Sequence, residues 1–221
     1  MRRGGSYWSM ELVRNPLFAR YFDRCGARLE ERGGRELRVE LLAGLSGRVV
    51  EVGAGTGLNF PRYPVAVREV VAVEPEPYLR ARALRAALAA PVTVKVVAGT
   101  AAELPAEDGE FDAVVISGVL CSVADVPAAL SEFSRVLRRG GQLRFWEHVR
   151  SRDPAFALFQ QAADLLWPHL MGGCHVHRDT LAAIGQVFTV EECRGFRFPP
   201  AEVLTPPAPR ILGTARKPGV A

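Results

Sequence analysis

A glycine-rich turn follows directly on a run of β-branched residues in the segment 49–57. Its glycines, Gly53, Gly55 and Gly57, have the spacing G-x-G-x-G, with Ala54 between the first two. Glycines let a backbone take positive φ and approach a ligand closely, because no side chain intervenes. The turn lacks the Lys-Ser or Lys-Thr of a nucleoside triphosphate loop, and its third glycine comes one residue earlier than in a dinucleotide fingerprint. It therefore predicts a bound cofactor that is not held through phosphates.

Two carboxylates near this turn narrow the choice of ligand. Glu51, two residues before the first glycine, would repel a pyrophosphate and attract a cationic group. Glu74 ends a second apolar segment, 69–74, about 20 residues after the first glycine, where an acid that binds a ribose diol is expected. A ribose, an adenine and a cationic amino acid without phosphate are the parts of S-adenosylmethionine. We therefore predict S-adenosylmethionine as the cofactor and S-adenosylhomocysteine as the product, with Pro75 beside Glu74 among the contacts.

Helical and strand-like segments alternate along the chain around these residues. Apolar spacing, capping residues and Gly or Pro breaks predict helices at 16–32, 34–43, 78–90 and from Asp125 to the pair Gly140-Gly141. Apolar and β-branched runs predict strands at 49–52, 69–74, 92–97, 111–116, 142–148, 188–193 and 210–216, with a Pro-rich loop at 199–209. This alternation predicts an α/β fold, a Rossmann-like doubly wound seven-stranded sheet that is mostly parallel. The glycine turn and the ends of the first, second and fourth strands should then share the ligand-binding edge of the sheet.

Composition agrees with one compact enzyme domain. The chain has 221 residues, 48% of them apolar, which is enough to fill a sizeable core. No apolar run approaches the roughly 20 residues needed to span a bilayer, and the start does not read as a signal peptide, so we expect a cytoplasmic protein without stable membrane insertion. The 28 basic and 24 acidic residues are interspersed, which argues against nucleic acid as a partner. No C-x-x-C pair indicates a zinc ribbon among the scattered cysteines, Cys25, Cys121, Cys174 and Cys193.

Four further segments resemble motifs of a known enzyme family. They are 119–123, 135–141, 147–149 and 160–174. Together with the glycine turn they resemble the class I S-adenosylmethionine-dependent methyltransferases. The last two are similar to the animal methyltransferase-like alkyl-thiol S-methyltransferases and, more loosely, to the ubiquinone and menaquinone C-methyltransferases. The resemblance implies that the last strand is antiparallel. It divides the chain into N-terminal helices at 1–47, a cap or lid of the same domain, and a methyltransferase domain at 48–221.

The chain departs from that family in two ways. The animal proteins begin with an apolar membrane segment that this sequence does not contain, so their membrane location is not expected here. The loop 99–105 resembles the adenine-contacting motif, but Thr100 occupies a position that is usually acidic. A contact from the backbone of Ala101 is still expected.

The resemblance and the strand order place the methyl acceptor next to the cofactor. Its pocket should be formed by the residues after the fourth strand, 117–121, by Glu147 and His148, and by the insert 167–178. Ser117, at the start of the first of these segments, is also expected to contact the cofactor. A thiol acceptor needs a nearby group that favours its thiolate, and we predict His148 as that stabiliser or as a general base. A histidine bonded to backbone at the strand end is an equally reasonable interpretation.

The other histidines and cysteines of this region have simpler interpretations. His175 and His177 are typical of a solvated helix start before Asp179. A metal pair of Cys174 with His177 lacks further ligands at useful spacing, so no metal is expected. Cys121 is more typical of a buried packing residue than of a nucleophile.

The sequence thus predicts an S-adenosylmethionine-dependent methyltransferase that acts on a small, apolar acceptor, with a thiol favoured. The first alternative is carbon or oxygen methylation of a quinone-like or phenolic compound. A nicotinamide-dependent oxidoreductase on a similar sheet, or a cofactor-binding module without catalysis, forms the second alternative.

Overall fold

The computed structural model describes residues 15–200 and 208–219. They form a seven-stranded sheet in the order β3-β2-β1-β4-β5-β7-β6. Its strands are β1 Gly47–Val52, β2 Val67–Val73, β3 Thr93–Val97, β4 Phe111–Ser117, β5 Leu137–His148, β6 Thr189–Phe198 and β7 Ala208–Arg216. All neighbouring pairs are parallel except those of β7, which is antiparallel to both β5 and β6. The prediction of a mostly parallel sheet with an antiparallel last strand is confirmed.

Helices cover both faces of this sheet. They are α1 Pro16–Leu29, α2 Arg35–Leu42, α3 Pro77–Ala87, α4 Val126–Val136, α5 Pro154–Ala163, α6 Trp167–Leu170 and α7 Thr180–Val187. Side chains alternate across the strands, so that Val50 and Val52 pack with α4 and α7, while Val49 packs on the other face with α2 and α3. Two separate apolar cores result, as a doubly wound sheet requires.

Helix starts match the capping residues that the sequence contains. The predicted cap Asp125 accepts a hydrogen bond from the backbone N–H of Ala128, and Asp179 does the same for Ala182. The helix predicted at 16–32 ends earlier, at Leu29, and a wider turn at Glu30–Gly34 leads into α2. Gly33 breaks the helix there with φ +105°.

The boundary predicted at Gly140-Gly141 was wrong. Helix α4 ends at Val136, and β5 begins directly at Leu137, which is buried opposite Phe111. The register shifts after that pair, so the two glycines lie inside an irregular start of β5 instead of ending the helix. The last two strands are longer than predicted because β6 pairs with β7 along its length as far as Phe198. Residues 201–207 of the predicted Pro-rich loop lie outside the described part of the chain.

Within residues 15–200 and 208–219, none of the helices has the length and apolar character needed to cross a bilayer.

Candidate functional site

The glycine turn lies at the carboxyl end of β1 and has the backbone that its sequence predicts. Gly53, Gly55 and Gly57 all have positive φ, at +69°, +58° and +83°. The N–H group of Gly53 donates to the carbonyl of Val73 at the end of β2. A Cβ on Gly53 would lie 2.7 Å from Cγ2 of Val119, in the loop after β4. The turn therefore needs glycine at this position, and it touches the loop in which the acceptor pocket is expected.

Glu51 lies beneath this turn, with a side chain that is 3% exposed. Its Oε1 accepts a hydrogen bond from Nδ2 of Asn59 at 2.9 Å, and its Oε2 accepts one from the hydroxyl of Tyr63 at 2.7 Å. Burial raises the pKa of Glu51 to about 7, although both hydrogen bonds act in the opposite direction. Both carboxylate oxygens thus bind side chains of the protein, so Glu51 supports the turn. Its predicted attraction for a cationic part of the cofactor stays a prediction.

Glu74 joins the end of β2 to the middle of the turn. Its Oε2 accepts the N–H of Gly55 at 2.7 Å, and its Oε1 accepts the N–H of Glu76 at 2.9 Å. A carboxylate oxygen has two acceptor positions, so each oxygen can still accept a second hydrogen bond, as a ribose diol would require. The neighbouring Pro75 is partly exposed at the same edge of the sheet.

The remaining predicted cofactor residues surround the same edge. Thr100 forms an isolated bridge with Glu103, and Ala101 beside it is 9% exposed. Their loop packs on β2, since a Cβ on Gly99 would lie 2.9 Å from Cγ1 of Val73. Ser117 is the last residue of β4. The glycine turn has no room for side chains, and the Glu74 carboxylate has free acceptor positions. Both features fit an adenosine whose ribose carries no phosphate, and they therefore fit S-adenosylmethionine.

Helix α1 covers the glycine turn from outside. A Cβ on Gly55 would lie 3.3 Å from Cε1 of Phe22. The next residue, Asp23, accepts a hydrogen bond from the hydroxyl of Tyr78 at 2.9 Å and pairs with Arg82 at 3.2 Å, both on α3. The first helix is thus attached to α3 and lies next to the turn. The role of residues 1–47 as a lid stays a prediction.

Three side chains from separate segments meet beyond the ends of β4 and β5. The Cys121 thiol, the His148 imidazole and the Cys174 thiol have their sulfur and nitrogen atoms within 4.8 Å of one another. Sγ of Cys174 lies 3.2 Å from Nδ1 of His148. Both cysteines are buried, whereas His148 is partly exposed. We call this group the thiol-histidine cluster.

Hydrogen bonds fix the loop that carries Cys121. Glu147 is fully buried, and its Oε1 accepts the N–H of Val119 at 2.7 Å. Nη1 of Arg178 donates to the carbonyls of Leu120 and Val123, both at 2.7 Å. The bonds from the Arg178 guanidinium are charge-assisted and therefore short and strong. Together with Glu147, Arg178 holds the loop from two sides.

Two more bonds fix the other members of the cluster. The N–H of His175 donates to the carbonyl of Cys121 at 2.7 Å, which ties the insert to the loop after β4. The hydroxyl of Thr180 donates to the carbonyl of His148 at 2.8 Å. His175 also lies 3.5 Å from a carboxylate oxygen of Asp164. The cluster is therefore an ordered arrangement of three segments.

The cluster shares its surroundings with a buried cation. Arg210 of β7 lies opposite His148 in the strand pairing. Burial, followed by the charge of Arg210, lowers the pKa of His148. A hydrogen bond from the Cys121 thiol holds the pKa of Cys174 below its usual range, against the effect of burial. Burial raises the pKa of Glu147 to about 8. Of the two thiols, Cys174 is the one that ionises more readily.

The sequence predicted that the segments of all three residues line one acceptor pocket, but not that their side chains meet there. Cys174 was weighed with His177 as a metal pair, and Cys121 was interpreted as a packing residue, but the structure joins Cys174 with Cys121 and His148. The strand order and the family resemblance both contributed to the predicted proximity of Cys121, His148 and the insert. The direct contact of the three side chains was not predicted.

Comparisons with known proteins agree with this geometry. Residues 50–145 match the family described as a methyltransferase domain. The chain is 34% identical over 218 residues to human thiol S-methyltransferase TMT1B, covering 91% of this chain and 88% of that protein. It is 39% identical over 115 residues to the demethylmenaquinone methyltransferase of Thermobifida fusca, covering 51% of this chain and 49% of that protein.

A solved structure of a Bacillus halodurans protein has the same fold, with a TM-score of 0.69 and 21% identity, covering 84% of this chain and 100% of that one. The resemblance seen in the sequence is thereby confirmed. Since the identity to TMT1B extends over most of both chains, the protein belongs to the family of S-adenosylmethionine-dependent methyltransferases that includes TMT1B.

Proposed function

We propose that this enzyme methylates the sulfur atom of small, apolar thiols. The observation that carries the proposal is the contact between Gly53 and Val119, because it places the cofactor turn against the loop that holds Cys121. An acceptor that lies beside the thiol-histidine cluster would then be next to the bound cofactor. The name of the relative TMT1B, a thiol S-methyltransferase, supports the same acceptor class.

Bound S-adenosylmethionine would supply an activated methyl group: the acceptor sulfur bonds to the methyl carbon, the bond from that carbon to the sulfonium sulfur breaks, and its electron pair stays on the sulfonium sulfur. The protein has to align the acceptor, exclude water and favour the thiolate. The buried side chains of the loop after β4 would provide the dry environment. His148, as the partly exposed member of the cluster, is the proposed catalytic residue that stabilises the thiolate or accepts its proton.

The proposed cofactor site combines residues at or after the carboxyl ends of β1, β2 and β3 with the last residue of β4. Glu74 would accept hydrogen bonds from the ribose, and the glycines would contact the cofactor with their backbone. The full set is Glu51, Gly53, Ala54, Gly55, Gly57, Glu74, Pro75, Thr100, Ala101 and Ser117. The cytoplasmic location expected from the sequence also remains part of the proposal.

A panel of acceptors tests the proposal directly. Alkyl and aryl thiols, phenols and reduced quinones of similar size are incubated with S-adenosylmethionine, and release of S-adenosylhomocysteine is measured. We expect turnover with thiols and little with the oxygen compounds. His148→Ala should lower turnover strongly while the affinity for S-adenosylhomocysteine, measured by calorimetry, stays close to wild type.

Methylation of a quinone-like compound is the second candidate, because of the 39% identity to a demethylmenaquinone methyltransferase over half of the chain. Activity on a reduced quinone or phenol, with none on any thiol, would replace the first proposal by this one. Full activity of His148→Ala would remove that histidine from the proposed mechanism.

A further inference from the structure

We propose that Cys121, His148 and Cys174 form a zinc site whose fourth position receives the sulfur of the acceptor. The inference rests on the proposed thiol methylation for the identity of the fourth ligand, but the three protein ligands are independent of it. No metal was expected from the spacing of residues along the chain, because the ligands come from three distant segments.

The ligand types match a zinc site, and the three ligand atoms are grouped at about the scale of one. Zinc is bound by thiolate sulfur at about 2.3 Å and by imidazole nitrogen at about 2.0–2.1 Å, so adjacent ligands of a tetrahedral site lie about 3.3–3.8 Å apart. Sγ of Cys174 and Nδ1 of His148 lie 3.2 Å apart, and the three ligand atoms are within 4.8 Å of one another. Binding of an ion would therefore require the three side chains to adjust toward a common centre.

The arrangement is fixed before any ion binds. The loop of Cys121 is held by Glu147 and Arg178, and the insert of Cys174 is held to that loop through the N–H of His175. The strand end of His148 is held by Thr180. A preformed site loses little conformational entropy when the ion binds.

The number of ligands indicates an open position. In the described part of the chain, the group that could hold an ion has three members. Structural zinc sites have four protein ligands, whereas catalytic zinc sites have three and leave the fourth position to water or substrate.

The charges of the surroundings are compatible with this centre. Two cysteine thiolates balance the charge of Zn²⁺, so the bound site is neutral. Arg210 faces the cluster, and Glu147 faces both the cluster and Arg210. The indole of Trp167 is also close enough to Cys174 to donate a hydrogen bond to its sulfur.

A zinc ion at this place would change how the acceptor is activated. A thiol that coordinates zinc loses its proton to solvent and stays bound as the thiolate. Methyl transfer then converts this thiolate into a neutral thioether, a weaker ligand, which water or the next thiol can displace. The ion would hold the acceptor sulfur, and His148 would stabilise the thiolate through the ion, as its ligand, instead of accepting the proton itself.

Metal content of the full chain tests the site directly. The purified protein is stripped with a chelator, reloaded with zinc, separated from free metal and analysed by plasma mass spectrometry. We expect one zinc per chain, and loss of this zinc in Cys121→Ser, Cys174→Ser and His148→Ala. Cys25→Ser and Cys193→Ser, at the other two cysteines, are the matched controls and should keep it. Binding of S-adenosylhomocysteine by every variant verifies that it is folded.

Cobalt provides a second readout without turnover. Co²⁺ in the site should give thiolate-to-metal absorption in the wild type, and addition of an alkyl thiol should increase this absorption. A wild type that retains no stoichiometric zinc, or zinc retained by Cys174→Ser, would overturn the proposal. So would a Cys121–Cys174 disulfide in the protein purified under reducing conditions.

The two proposals can fail separately. If the zinc site forms but no thiol is methylated, the proposed function is wrong and the metal site stands. If thiols are methylated at the full rate by zinc-free enzyme, the zinc proposal is wrong and the function stands.

Discussion

Oε2 of Glu74 accepts the backbone N–H of Gly55 at 2.7 Å, and this bond joins the end of β2 to the centre of the glycine turn. The acid predicted to bind the ribose therefore also orders the backbone predicted to contact the cofactor. Recognition of the ribose and the shape of the turn depend on the same carboxylate. Substitutions at either residue should affect both.

Replacement of Glu74 should weaken cofactor binding. Hydrogen bonds to a charged group contribute about 1.5–3 kcal/mol, so Glu74→Ala should lower the affinity for S-adenosylhomocysteine by about 10-fold to 150-fold. Glu36→Gln, on the exposed face of α2, is the control and should bind like wild type. Calorimetry measures both. An unchanged affinity in Glu74→Ala would mean that the ribose is held by another residue.

Gly55→Ala should impair both the turn and the cofactor site. Gly55 has φ +58°, which costs an L-residue about 1–2 kcal/mol, and the new Cβ would lie 3.3 Å from Phe22. We expect weaker binding of S-adenosylhomocysteine together with a lower free energy of unfolding. Gly185→Ala is the matched control, since Gly185 lies in α7 with no atom within 4 Å of the added Cβ. That control should be neutral or more stable by about 0.5–1 kcal/mol.

Glu51 should make the folded protein less stable as the pH rises. Its pKa is raised from 4.5 to about 7 in the folded state, so the folded state binds more protons than the unfolded state between these values. The stabilisation is complete below pH 4.5 and is lost as the pH rises through 7. The wild type should therefore lose on the order of 3 kcal/mol relative to Glu51→Gln over this range. Urea unfolding of both proteins from pH 4.5 to 8 measures the difference, and parallel curves would contradict the prediction.

Loss of Arg178 should destabilise the loop after β4. Its guanidinium binds the carbonyls of Leu120 and Val123, and a buried carbonyl without a partner costs about 1–3 kcal/mol. Arg178→Ala should lower the free energy of unfolding by about 2–4 kcal/mol and reduce turnover more than cofactor affinity. Arg152→Ala, at an exposed arginine, is the control. Equal stability of the two variants would mean that the loop is held without Arg178.

Periodicity and glycine spacing were sufficient to predict the fold. The strands are apolar runs separated by recognisable breaks, and each predicted strand is present, because local patterns mark where a buried strand begins and ends. The boundary at Gly140 was wrong because a glycine pair is typical both of a helix end and of an irregular strand. The pairing of Leu137 with Phe111, a tertiary contact, decides between the two.

The geometry of the site was harder to predict from the sequence than the fold. Glu51 and Glu74 were correctly located near the glycine turn, but the hydrogen bonds of Glu51 to Asn59 and Tyr63 depend on how the chain after the turn folds back. The thiol-histidine cluster depends on an insert whose path is set by backbone bonds, such as that from His175 to Cys121. Such bonds involve no particular side chain type, so the family resemblance, and not the spacing of residues, was what placed the insert at this pocket.

Because α1 is attached beside the glycine turn, the chain cannot be divided before β1 without loss of contacts at this turn. A fragment that begins at β1 would keep every strand, yet it would lose Phe22 over Gly55 and the partner of Tyr78 and Arg82 on α3. It would also lose Arg38, which donates to Asn59 beneath the turn. Residues on both sides of position 47 thus pack together around the glycine turn. A truncation at that position would leave the turn open to water.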